Sequence, residues 1–520
     1  MKKQTDMRLE ECKNFSEVLS FQSAINPDRI YVYDVRSERE YTFKQFDIIV
    51  TNTAVYFQSL GVKPGDRITA LIENSPEYCF CYFASIRVGA IFNPMPFSSH
   101  KEEVKKNIRY TEPEIILVDS RRFGEFSGES GRFIDVPVHA ERDFEKSIKN
   151  MGNAQEGRTE INEDTPACLY YSSGTTGDPK GVMFSHRNMI SNISSICRGF
   201  QFDEERECHL VMLPLGHTAS TNYSLLPCMY IGGRMVMAES FWHIRGSIWK
   251  LIREHRVTYM EVVPTVLYSM LNIYKEVEQK DVSTVRFVGC GSAPLQKGIQ
   301  EEFMKRFTLK VANLYGLSET GPTHIDNPLE PNWKPGTIGR PLDVNEIKIF
   351  GNERNELGTG DVGEIAVKGD NVFVGYFKNE ALYREVMKDG YFFTGDLGYV
   401  DKEGIHYFVE RKKDLIIKGG TNITPGEIDE VLLLHPAVKE AATVGIPDPM
   451  FGEDIKSFIT IKDNMELETR EALDHCRKHL HSLKVPKDIE IVDKLPTTHS
   501  GKLLRKALRE RERKAAHDRK

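Results

Sequence analysis

The stretch Ser172-Ser173-Gly174-Thr175-Thr176-Gly177-Asp178-Pro179-Lys180-Gly181 has the residue types that hold phosphate. Its glycines let backbone approach a ligand closely and take φ > 0 where a turn needs it. Its hydroxyls and the Lys180 cation match the acceptor oxygens and charge of a polyphosphate. Ala167-Cys168-Leu169-Tyr170-Tyr171 before it reads as a buried strand. Ser185 after it can cap a helix whose Met189, Ile190, Ile193 and Ile196 share one face. Strand, glycine-rich loop and helix in succession is a setting in which phosphates are commonly held. No Gly-Lys-Ser/Thr follows at Walker spacing, and a plain surface turn is the competing explanation.

Four further segments carry groups of complementary use. Asn313-Leu314-Tyr315-Gly316-Leu317-Ser318-Glu319-Thr320 combines an amide, an aromatic ring and a carboxylate, and Thr394-Gly395-Asp396 offers a second carboxylate. Glu410-Arg411-Lys412-Lys413-Asp414 precedes Lys418-Gly419-Gly420, and Leu495-Pro496-Thr497-Thr498-His499-Ser500-Gly501-Lys502 ends on a lysine. In content and order the five segments resemble those of the adenylate-forming superfamily, which includes acyl-CoA synthetases, aryl-CoA ligases, peptide-synthetase adenylation domains and luciferase. The resemblance spans nearly the whole chain.

It implies a two-step ligation. A carboxylate reacts poorly with a thiol because its oxygen is a poor leaving group. Attack on the α-phosphorus of ATP gives an acyl-adenylate and pyrophosphate, and a thiol then displaces AMP. Such a site needs a metal, an adenosine pocket, neutralised triphosphate charge and a cation at the attacked phosphate.

By the same resemblance, Ser172, Ser173, Gly174, Thr175 and Thr176 cradle the phosphates with Lys180 nearby, although Lys180 equally reads as a solvent-exposed lysine. Glu319 is the expected Mg2+ ligand, in keeping with hard oxygen ligation shared with substrate phosphates. Tyr315 offers adenine a ring face and Asn313 an amide, with Gly316 and Ser318 in the same motif. Gly291, Ser292 and Ala293 form the other wall. Asp396 is expected to take the ribose hydroxyls, with Arg411 in support. Lys502 is the expected catalytic cation, Lys413 the hinge, and Gly419-Gly420 the side-chain-free passage for the pantetheine arm of coenzyme A. His217 matches an acyl-pocket position. Gly216 before it, where a bulky residue is common, leaves room and reads as a size gate.

The elements that must position these groups follow from patterning. The chain is 520 residues long, so two or more domains are expected. Thr42 can cap a helix through Phe46, Ile49 and Val55 to Gly61, and Arg67–Ile72 reads as a strand. Further strands are expected at 210–213, 234–238, 258–263, 286–289 and 311–314, separated by helical stretches. This alternation predicts an α/β fold with layered, largely parallel sheets. Short strands and glycine turns from Glu346 to Tyr407 predict a β-rich subdomain. A small mobile α+β unit follows, giving domains 1–410 and 411–520.

A net charge of −7 argues against nucleic acid as a partner. Nine scattered cysteines without a CxxC pair disfavour a disulfide framework or zinc site, and Cys79 and Cys81 lie in an apolar stretch that reads as core. No apolar run approaches membrane-spanning length and the first residues lack a signal-peptide pattern, so a cytoplasmic location is expected. Val211-Met212-Leu213-Pro214-Leu215-Gly216 carries no acid to hold an amino group, so an amino-acid substrate is disfavoured. The expected reaction is acyl-CoA or aryl-CoA formation from a free carboxylic acid, with fatty-acid metabolism one setting. A carrier-protein thiol acceptor, a homo-oligomer and a non-catalytic nucleotide-binding role remain open.

Overall fold

In the computed structural model, residues 8–138, 159–172, 180–203, 206–462, 464–497 and 503–518 are described. The expected phosphate-loop residues Ser173, Gly174, Thr175 and Thr176, and the expected catalytic Lys502, lie outside them. The chain divides into two compact units: Met1–Ile347 with Val367–Phe392, and Lys348–Ala366 with Phe393–Lys520.

The large unit is built on strands β1 (Ile30–Asp34), β2 (Glu40–Thr42), β3 (Arg67–Leu71), β4 (Ile91–Pro94), β5 (Ile115–Asp119), β6 (Phe133–Val136), β7 (Pro166–Ser172), β8 (Lys180–Ser185), β9 (Cys208–Val211), β10 (Arg234–Met237), β11 (Tyr259–Val262), β12 (Phe287–Gly291) and β13 (Val311–Leu314). One sheet runs β13-β12-β11-β9-β10-β1-β2, and all its pairings are parallel except that of β2. A second runs Gly375–Tyr376, β8, β7, β4, β3, β5, β6. The α/β expectation holds.

Local chemistry explains the helices between them. Phe43–Ser59 begins at a capping box, in which Thr42 accepts from the Gln45 amide and the Gln45 side chain accepts from Thr42 N–H. Pro76–Arg87 starts on Ser75 with proline at its first position, where no backbone donor is lost. Every residue of that helix is buried, so Cys79 and Cys81 are core as expected. All nine cysteines are buried and free.

One local reading is corrected. Strand, loop and helix were expected around Ser172–Gly181, but Lys180–Ser185 is itself a strand, antiparallel to β7 with Ser172 opposite Lys180. Val182 and Phe184 are buried along it, so burial of this strand wins over a direct entry into the helix that Ser185 caps. The glycine-rich segment therefore joins the strands of a hairpin.

The β-rich stretch is present as Asn345–Phe350, Gly363–Gly369, Tyr391–Val400 and His406–Arg411, and it contributes residues to both units. The rest of the small unit is α+β. Strands Val438–Asp448 and Gly452–Ile461 pair antiparallel, joined by Ile416–Lys418, Thr421–Ile423 and Asp488–Ile491. Helices Pro425–Leu433 and Thr469–His479 pack on them over Ile416, Ile428, Leu432, Ile455 and Ile459. Among the described residues no helix is long and apolar enough to cross a membrane.

Candidate active site

In open α/β sheets, ligands settle outside the carboxyl ends of parallel strands. Three expected site segments in the large unit emerge there: Ser292-Ala293 after β12, Tyr315–Glu319 after β13, and Gly216-His217 shortly after β9. Gly291 closes β12 opposite Leu314, and a Cβ on it would stand 2.8 Å from that of Leu314. Ser292 takes φ +66°, a left-handed value that costs a residue with a side chain strain energy. The turn thus exposes Ser292 beside Ala293.

Tyr315 is buried, its ring edge-on to His324 at 5.2 Å. Asn313 is tied by its amide: Nδ2 donates to the Thr337 carbonyl at 2.8 Å, while its backbone N–H donates to Asp326. That side chain is fixed in orientation before any ligand arrives. Gly316 pairs with Pro322, and a Cβ there would meet the Gly321 carbonyl at 2.3 Å. Only glycine fits that crossing.

Glu319 is half-buried and accepts a hydrogen bond from Tyr376 Oη at 2.9 Å. The Lys180 ammonium lies 5.5 Å from the centre of the same ring. Tyr376 therefore links the lysine that closes the phosphate segment to the expected metal carboxylate. Burial first, and the Glu319 charge second, hold the Tyr376 phenol well above its ordinary range, so it stays a donor. A magnesium ion fits this arrangement as one held by a single protein carboxylate and by substrate phosphates. Tyr376 was not foreseen; it is 57 residues from Glu319 and only strand pairing with β8 brings it near.

His217 caps the short helix Thr218–Ser220, its Nδ1 accepting from the Ala219 amide at 3.3 Å. The expected space beside Gly216 is taken: a Cβ would lie 2.8 Å from the Met95 carbonyl oxygen and 3.0 Å from Pro96 N. Glycine is required there for close backbone approach, and the size-gate reading is corrected accordingly.

In the small unit, Asp396 is buried and faces Arg411 across an antiparallel pair, Oδ1 to Nε 3.1 Å. A cleft of about 340 Å³ is lined by Thr394, Gly395, Arg411, Lys412 and Lys413. Lys413 sits in a single turn, Lys412–Asp414, whose neighbours are tethered rather than freely solvated. Lys412 pairs with Glu364 at 2.9 Å, while Arg509 holds both Asp414 and the Lys413 carbonyl. Gly419 and Gly420 have φ of +55° and +81°, the two left-handed positions of a tight hairpin between Ile416–Lys418 and Thr421–Ile423. Nothing lies within 4 Å of a Cβ on Gly420, while one on Gly419 would meet the Phe451 ring at 3.3 Å, so the hairpin tip is open on the Gly420 side. Flanking Lys502, Thr497 and Leu503 form an antiparallel bridge, and Arg505 is anchored on Asp429.

Between β9 and β12, the strand β11 contributes a residue that sequence reasoning passed over. Glu261 is 2% exposed, and among the described residues neither carboxyl oxygen has a hydrogen-bond partner. The signal was an acid inside the otherwise apolar run Tyr259-Met260-Glu261-Val262-Val263.

Known proteins align with this architecture. A family model described as "AMP-binding enzyme" matches residues 19–377, and one described as "AMP-binding enzyme C-terminal domain" matches residues 427–502. The chain is 30% identical to a sulfoacetate–CoA ligase of Cupriavidus necator, over 94% of this chain and 96% of that one. It is 31% identical to a feruloyl-CoA synthase of an Amycolatopsis species, over 90% and 94% respectively. The o-succinylbenzoate–CoA synthetase of Bacillus subtilis, crystallised with its acyl-adenylate intermediate, superposes with a TM-score of 0.82 at 28% identity, covering 94% of this chain and 97% of that one.

Proposed function

The chain belongs to the AMP-binding enzyme family, and from that premise we propose that it joins a carboxylic acid to coenzyme A through an acyl-adenylate, with ATP cleaved to AMP and pyrophosphate. The observation that carries the reading is Tyr376 bridging Lys180 and Glu319, which couples the phosphate segment to the metal carboxylate inside one unit.

Each residue has a physical task. Ser172, Ser173, Gly174, Thr175 and Thr176 hold the β- and γ-phosphates, and Lys180 adds charge. Glu319 holds Mg2+, which when bound neutralises phosphate charge. Tyr315 and the turn at Ser292-Ala293 enclose adenine. Asp396 accepts from the ribose hydroxyls, and its pairing with Arg411 orients it. Lys502 stabilises the charge that gathers on the α-phosphorus as the carboxylate attacks. His217 lines the approach of the acid. Rotation of the small domain about Lys413 then brings the Gly419-Gly420 hairpin to the thiol, so 410/411 is the functional boundary.

The nucleotide product tests this. With ATP, Mg2+, CoA and a panel of acids, the expected products are AMP, pyrophosphate and a thioester. Release of ADP and orthophosphate would overturn the adenylate route in favour of an acyl phosphate.

A further inference from the structure

Successive side chains of a strand face opposite ways. On β11, Met260 and Val262 join Leu210, Val288 and Cys290 in a continuous apolar core. Tyr259 and Glu261 therefore face the other side of the sheet. There Tyr259 packs edge-on or tilted against Phe202, His209 and Phe287. In register with Glu261 is Gly289, which has no side chain to offer it.

The same face receives the chain that follows His217. After Thr218–Ser220 the helix widens into a π-turn, Thr221–Leu225, a distortion found frequently at functional sites. Its Tyr223 is a close electrostatic neighbour of Glu261: burial first, then that carboxylate, hold Tyr223 and Tyr259 well above the ordinary phenol range. Both phenol oxygens are buried without a hydrogen-bond partner. Three buried polar side chains thus converge with their polar atoms unspent.

The fold shows elsewhere how it treats a structural buried acid. Asp326 is as deeply buried, and it accepts from Asn313 N–H, Thr337 Oγ1 and Trp333 Nε1. Buried polar groups are almost always satisfied in this way. Among the described residues Glu261 meets no such donor, which leaves its carboxyl open to a partner from outside the chain.

We propose that Glu261 closes the far end of the acyl pocket that begins at His217 and selects a carboxylic acid bearing a cationic nitrogen at its other end. This rests on the acid-activating reading above. A carboxylate ringed by Tyr223 and Tyr259 suits a cation twice over, by charge and by the faces of the rings. Once ionised, Glu261 repels a second anion, and an alkyl tail would leave it buried and unpaired. The acid that the run 211–216 lacks is supplied one strand away.

Proton release accompanies the selection. Burial raises Glu261 to about 8, so in the empty pocket near pH 7 it is mostly the neutral acid. The groups near it are Tyr223 and Tyr259, with Cys290 on β12 behind; His209, in register with Tyr259, is kept neutral by burial, at about 3. None of them competes as a cation. An arriving ammonium favours the carboxylate, and one proton leaves.

The experiment is a chain-matched series of acids with methyl, carboxylate, ammonium and trimethylammonium termini, over several lengths, read by pyrophosphate release. The expected kcat/KM for a cationic acid exceeds its methyl counterpart by about a hundredfold or more. E261Q should collapse that ratio to about tenfold or less, and calorimetry in buffers of different ionisation enthalpy should lose the released proton. The ammonium and trimethylammonium arms separate hydrogen-bonded from ring-held recognition. Melting of E261Q at or above the wild-type temperature shows that the change is not unfolding, since a neutral amide is no harder to bury than the carboxyl group it replaces. Preference for methyl or carboxylate termini, or an equal loss across the series in E261Q, overturns the proposal and leaves the ligase intact. Absence of pyrophosphate with every acid overturns the ligase reading and this one with it.

Discussion

The two units hold their functional side chains by different means. In the large unit the contacts are hydrogen bonds made in or at the edge of the core: Tyr376 to Glu319, Asn313 to Thr337, and three donors to Asp326. In the small unit they are ion pairs: Asp396 with Arg411, Lys412 with Glu364, Asp414 with Arg509, and Arg505 with Asp429. Directional hydrogen bonds in a dry setting fix a geometry. Ion pairs are less directional, and where one partner meets water, as Lys412 does beside Glu364, they are screened by salt and can trade partners at small cost. A nucleotide pocket needs the first property. A segment whose φ and ψ must change during turnover needs the second.

The sharpest way to break this contrast is at Lys502. Lys502→Ala should lower adenylate formation by about a thousandfold while thioester formation from supplied acyl-adenylate falls much less. Equal loss in both assays would mean that the small unit does not divide its labour. Next comes the hinge. Lys413→Pro fixes φ near −65° and removes a donor. Thioester formation should fall by about a hundredfold, with isotope exchange between pyrophosphate and ATP retained. If neither activity changes, no rotation occurs about that residue.

Smaller effects sharpen the comparison. Tyr376→Phe removes the hydrogen bond to Glu319 but keeps the ring under Lys180. A bond to a charged group is worth about 1.5–3 kcal/mol, so adenylation should drop by about tenfold or more, with a raised magnesium requirement. An unchanged requirement would detach Tyr376 from the metal carboxylate. Smallest is Arg509→Ala, which frees Asp414 and the Lys413 carbonyl. The thioester step should change by about fivefold or less and the exchange reaction still less. The reverse order would place the hinge contacts on the wrong half-reaction.

Much of the architecture was legible because it rests on local signals. The capping residues Thr42 and Ser185 and the strand Val311–Leu314 stand where patterning put them. β8 was missed because Gly181 and the flanking loop residues weaken a strand pattern that only pairing with β7 completes. Gly216 misled for a related reason. A missing side chain signals either space or a close neighbour, and the neighbour, Met95, is remote in sequence. Tyr376 was beyond the reach of local pattern, whereas Glu261 stood out as an acid in an apolar run but without its meaning. The first gains meaning only through strand pairing, the second only through what does not surround it.

The sulfur of the chain has a consequence of its own. An acyl-adenylate acylates any thiolate that reaches it, and a thioester passes its acyl group to any other. All nine cysteines are buried, and burial lifts Cys12, Cys168 and Cys208 to about 12 and Cys476 to about 11. At neutral pH their thiolate fraction is negligible, and the thiolate is the reacting form. Self-acylation, which would both waste ATP and inactivate the protein, is closed off. The enzyme offers its intermediate no sulfur nucleophile except the one that arrives with the substrate.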